Sequence, residues 1–108
     1  MADLRFSRLL DRYGSLLTET QREITDLYYN YDLSLAEIAE QKECSRQSVS
    51  DCLAKCRKKI EWYEENLHAE EIASGAIDAL NAFGKDHPEY GAEISKIIRL
   101  LKNENQGE

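Results

Sequence analysis

Little in this chain interrupts a helix. One proline and five glycines stand among 108 residues, too few for a loop-rich protein, and 42% hydrophobic content excludes a disordered one. No apolar run approaches the roughly 18 residues of a membrane span. The opening "MADLRFSRLL" also lacks the apolar core and small-residue cleavage site of a secretory signal, so the cytoplasm is the expected location. Cysteines number three, Cys44, Cys52 and Cys56, with no CxxC pair, and the two histidines, His68 and His87, lie far from them. That spacing offers a metal no ligand set and points to small buried hydrophobes in a reducing compartment. Also missing are a Ser, His and Asp grouping, a Gly-rich phosphate loop and paired carboxylates in an apolar setting. The reading is therefore a non-enzyme with no catalytic residue, no metal and no cofactor.

Positive charge is scarce as well, with 14 Lys and Arg against 21 Asp and Glu, for a net charge of −7. It is also unevenly spread. Residues 1–44 carry a net −4 and residues 61–108 a net −7, whereas residues 45–60 hold Arg46, Lys55, Arg57, Lys58 and Lys59 against Asp51 alone, a net +4. An anionic partner is drawn to that one segment, because charges beyond a Debye length of about 10 Å are largely screened. The plainer alternative is a solvated helix face.

Periodicity places this segment on a helix. Leu4, Leu9, Leu10 and Tyr13 predict a first helix over 3–13 that stops at Gly14. Thr18 followed by Gln21, and Ser34 followed by Glu37, are capping-box spacings that open a second helix over about 19–30 and a short third one in "LAEIAEQK". Ser45 then caps a fourth helix from Arg46, leaving three or four residues between helices three and four, the spacing of a helix-turn-helix. The turn "KECS" puts Glu43 where glycine is favoured, at a cost on the order of 1 kcal/mol.

On the fourth helix Val49, Cys52, Leu53, Cys56 and Ile60 fall on one side and face the core. Gln47, Ser50, Asp51, Ala54 and Lys58 take the other, with Arg46, Lys55 and Arg57 on its flanks. That composition suits a helix laid in a major groove. The candidate nucleic-acid-binding residues are Ser45, Arg46, Gln47, Ser50, Asp51, Lys55, Arg57 and Lys58. Gln47 pairs with adenine and Arg46 with guanine or phosphate, while Lys55, Arg57 and Lys58 hold backbone charge. Asp51 is discordant: it repels phosphate, and either accepts from a cytosine amino group or marks a protein-facing surface.

The stretch "LYYNYDLSLAEIAEQKECSRQSVSDCLAKCRKKIEWYEENLH", residues 27–68, resembles the YlxM-like family of small bacterial helix-turn-helix proteins and, more distantly, the promoter-binding fourth region of sigma factors. Agreement is densest in "YYNYDLSLAEIAE", "SRQSV" with Asp51, and "YEENLH". In that family the turn usually shows Gly and Val where this chain has Glu43 and Cys44. The resemblance implies an all-α, helix-turn-helix bundle of sigma region four-like form with a DNA-binding motif. It also implies a link to the signal recognition particle, whose GTPase is encoded beside such proteins.

Val49, Leu53, Cys56, Ile60, Tyr63 and Leu67 continue along the fourth helix as a heptad seam. A homodimer through Leu53, Cys56, Ile60, Tyr63 and Leu67 is the expectation, against the alternative that residues 60–67 cover helix one of the same chain. Trp62 and Tyr63 can anchor either contact. Ile72, Ala76, Ile77, Leu80 and Phe83 mark a fifth helix, and Ile94, Ile97, Ile98 and Leu101 the stripe of a last one beyond Pro88, with Leu100 off it. The domain division expected is a helix-turn-helix domain over 1–68 (motif about 34–60), a C-terminal helical extension over 69–102 and a polar tail over 103–108. Tyr28, Tyr29 and Tyr31 are assigned to the core or its edge, since no basic residues interleave with them. Three functions compete: a DNA-binding regulator, an accessory of the signal recognition particle binding its RNA or GTPase, and a sigma-like polymerase contact. The last needs a promoter-melting domain for which 108 residues leave no room.

Overall fold

A computed structural model describes residues 3–102. The expected tail over 103–108 lies outside these, as do Met1 and Ala2. All regular structure among the described residues is helical: α1 (Leu4–Tyr13), α2 (Glu19–Tyr29), α3 (Leu35–Lys42), α4 (Arg46–Leu67), α5 (Ala69–Asp86) and α6 (Gly91–Leu101). Short 3-10 turns lie at Gly14–Leu16 and Pro88–Tyr90. The chain divides into two compact units, with the boundary between Leu67 and His68.

Local chemistry sets the helix ends of the first unit. Both capping boxes form: Gln21 N–H donates to Thr18 Oγ1 at 3.2 Å while Thr18 N–H donates to Gln21 Oε1 at 3.0 Å, and Ser34 and Glu37 repeat the exchange at 3.1 and 2.8 Å. The two donors from Ser34 hold the Glu37 carboxyl below its usual range. Asp3 caps α1 by accepting the Phe6 N–H at 3.1 Å. Helix α3 ends with Glu43 left-handed at φ 56° and ψ 47°. There the Cys44 N–H reaches the Ala39 carbonyl at 3.0 Å and the Glu43 N–H reaches Glu40 at 3.3 Å, the double closure of a Schellman turn.

Helix α4 is the spine against which α1, α2 and α3 all pack. Its N-terminal half closes over Ile24, Ile38 and Ala39 through Val49 and Leu53. Phe6, Leu9, Leu10 and Tyr13 of α1 are buried in the same unit, as are Cys56 and Ile60. Each such side chain contributes roughly 1.5–3 kcal/mol relative to exposure. Burial also pushes the Cys56 thiol up to about 12, helped by Cys52, whose sulfur lies 4.0 Å away.

This packing corrects the expected dimer seam. Cys56 and Ile60 are 0% exposed and Leu53 7%, all within a single chain, so they form its core and have no surface left for a second copy. Tyr63 is half-buried and stacks on Tyr13 at 6.0 Å, and only Leu67 of the five is exposed. The heptad step is real, but the helices it serves belong to the same chain. Beneath it Glu64 is buried and accepts the Tyr13 hydroxyl at 2.6 Å. Among the tyrosines expected at the core, Tyr29 packs on Phe6 at 4.8 Å, whereas Tyr31 is 65% exposed.

The second unit is a helical hairpin. His68, left-handed at φ 54°, precedes α5, and Pro88 opens the turn that leads into α6. Gly84 permits the close approach of the two helices: a Cβ there would meet Ile94 Cδ1 at 3.2 Å. Among the described residues of this unit Ala73 and Ile94 are buried, and Phe83, His87 and Tyr90 stack at its tip.

Candidate nucleic-acid interface

The turn delivers α4 with its start exposed. Ser45 Oγ accepts the Ser48 N–H at 3.0 Å and bonds the Ser48 hydroxyl at 2.9 Å, so this candidate contact residue acts as the N-cap. Arg46, Gln47, Asp51, Lys55 and Lys58 are exposed and Ser50 is half-buried, while Val49, Leu53, Cys56 and Ile60 occupy the opposite side. Seven of the eight candidates thus lie at the start or along the outer side of one helix. Trp62, 59% exposed, continues the Asp51, Lys55 and Lys58 side by one further turn and sets its ring edge against Tyr63 at 5.5 Å. The sequence reading offers Trp62, which lies off the heptad seam, as an anchor for a helix contact. Only its angular position at 100° per residue places it here.

Asp51 has an explanation that spacing alone does not supply. Gln47 Nε2 donates to Asp51 Oδ1 at 2.9 Å, an i,i+4 bond on the exposed face. The carboxylate therefore meets a donor from its own helix, and the Gln47 amide is held with nitrogen toward Asp51. Its oxygen and its second N–H remain as an acceptor and donor pair, the combination that adenine's major-groove edge matches.

Arg57 is the candidate the structure sets apart. Its Nη2 pairs with Asp3 at 2.5 Å, and its guanidinium lies 4.3 Å from the centroid of the Phe6 ring, which is 1% exposed. Nη1 is buried and has no hydrogen-bond partner among the described residues. The side chain thus ties α4 to the cap of α1, where the face of an aromatic ring attracts a cation. Arg5 makes a second such tie to Glu61 at 3.0 Å, and that pair raises the arginine's pKa.

Among the described residues no group of three or more His, Cys, Asp or Glu is placed to hold a metal ion, and no helix is long and apolar enough to cross a membrane. Comparison with known proteins agrees with the helical arrangement. A family profile described as "Putative helix-turn-helix protein, YlxM / p13 like" matches residues 2–97. A UPF0122 protein of Clostridium kluyveri is 47% identical over 107 residues, covering 93% of this chain and 91% of its own length. Another from Latilactobacillus sakei is 35% identical over 102 residues, covering 92% and 90%. One from Clostridium perfringens is 52% identical over 61 residues, covering 56% and 54%. The chain belongs to this YlxM / p13-like family of helix-turn-helix proteins.

Proposed function

We propose that this chain is a DNA-binding regulatory protein that lays the start of α4 in the major groove. The observation that carries this reading is the solvent-facing side of α4: Arg46, Lys55 and Lys58 exposed around Gln47 in a segment of net +4, inside an acidic chain. In this reading Lys55 and Lys58 neutralise phosphates without regard to sequence, and Arg46 holds a phosphate or a guanine. Gln47 reads adenine, and Asp51 is its positioning residue. Arg57 is not among the DNA contacts, because Asp3 and Phe6 already engage it.

The geometry favours B-form DNA over duplex RNA, since A-form helices have a deep, narrow major groove that does not admit α4. Selection from random duplex DNA tests the reading. An enriched sequence containing adenine is expected, and Gln47→Ala should relax preference there by about 1–3 kcal/mol while leaving non-specific affinity nearly intact. Asp51→Ala should relax the same position and strengthen non-specific binding by removing a repulsive charge. No enriched sequence, together with binding to the RNA or GTPase of the signal recognition particle, would replace regulation with the accessory role.

A further inference from the structure

The outer side of α4 carries an aromatic ring that the phosphate contacts of Lys55 and Lys58 leave unused. At 100° per residue, Asp51, Lys55, Lys58 and Trp62 fall within roughly 60° of one another. Trp62 is the one tryptophan of the chain and is 59% exposed. It is also backed by the core. Its ring meets Tyr63 at 5.5 Å with 72° between the planes, Tyr63 stacks on Tyr13 at 6.0 Å, and Tyr13 is only 3% exposed. A large ring braced from behind and open to solvent is placed to receive a second flat group.

We propose that Trp62 stacks on an unpaired base where a single strand leaves the duplex held by α4, an inference that rests on the DNA-binding reading. Charge selects the occupant. Lys55 and Lys58 are exposed and take part in no ion pair among the described residues, so the strip leading to Trp62 attracts a phosphate backbone. The neighbouring carboxylates are engaged or lie past the ring: Gln47 donates to Asp51, Arg5 pairs with Glu61, and exposed Glu65 follows Trp62 rather than preceding it. An aromatic face next to lysines is how single strands are bound, because every base has a π-face and every linkage a charge.

Distance decides which base is reached. At 1.5 Å rise per residue, Lys55 and Lys58 lie about 12 and 16 Å along the axis from Gln47, and Trp62 about 22 Å. The major groove is only about 12 Å wide and 8.5 Å deep. With Gln47 at a base edge and Lys58 at a phosphate, Trp62 stands outside the groove, where a duplex presents sugar and phosphate and no base face. Only a base that has left the stack reaches the indole.

The single tryptophan makes the test direct. The full chain is titrated with a blunt DNA duplex, the same duplex carrying a single-stranded extension, and the extension strand alone. Indole emission reports stacking, and fluorescence anisotropy of labelled DNA reports affinity. The extended duplex should quench the emission, the blunt duplex should leave it nearly unchanged, and the extension should tighten binding at least about fivefold. Trp62→Leu should bind both duplexes with the affinity of the blunt one, and Trp62→Phe, which keeps a π-face, should recover part of the preference. Trp62 is exposed, so far-UV circular dichroism should show helicity unchanged in both variants. Equal emission and equal affinity for blunt and extended duplexes overturn the proposal, as does a preference for the extension that survives Trp62→Leu. A blunt duplex that does not bind contradicts the groove reading instead. In that case quenching by the extension strand, accompanied by binding that Trp62→Leu weakens, upholds the stacking site, and its absence overturns both.

Discussion

Glu43 holds φ 56° because the turn between α3 and α4 needs a left-handed residue, and its side chain pushes Cβ toward the following carbonyl. Glu43→Gly should stabilise the first unit by about 1 kcal/mol. Thermal unfolding should then show a midpoint about 4–8 °C higher. The cysteines should separate by reactivity. Cys44 is exposed, Cys52 half-buried and Cys56 buried with its thiol pushed up to about 12, so a thiolate reagent near pH 8 should modify Cys44 first. Cys56 should react only in denaturant, as a count of modified thiols by mass spectrometry would report. At this scale the capping residues Thr18, Gln21, Ser34 and Glu37 are legible in the sequence, because a capping box is a bond between residues three apart. The bond from Tyr13 to Glu64 and the pair of Asp3 with Arg57 are not, since their partners are 51 and 54 positions apart.

Among the elements, α4 carries the instructive error. Its apolar step of three and four residues says that a helix is covered along one side, but the step is the same whether the covering helices are its own or another molecule's. Tertiary packing decides, and it places Leu53, Cys56 and Ile60 inside a single chain. Ile60→Glu should consequently unfold the first unit, costing roughly 3–5 kcal/mol for an unpaired buried charge, rather than separate a folded dimer. Chemical denaturation followed by helical signal reads the difference. Arg57 belongs to the same lesson: a basic residue in a basic run predicts a bond to phosphate, and Phe6 and Asp3 engage it instead. Arg57→Ala should lower stability by about 1–2 kcal/mol, because it removes the cation–π interaction and the packing of the arginine stem. It should leave the salt dependence of DNA binding nearly unchanged.

For the molecule as a whole, charge distribution is the feature that composition hides. A net charge of −7 argues against general attraction to nucleic acid, yet the segment from 45 to 60 is locally +4, and folding turns Arg46, Lys55 and Lys58 of that segment to solvent on one helix. The central claim, that this outer side of α4 touches DNA phosphates, is tested most directly by the salt dependence of binding to duplex DNA. With Lys55→Ala and Lys58→Ala combined, affinity should fall across all sequences, and the slope of log affinity against log salt should shrink by roughly 0.9 for each phosphate that is no longer neutralised. An unchanged affinity and slope in that double variant would contradict the account.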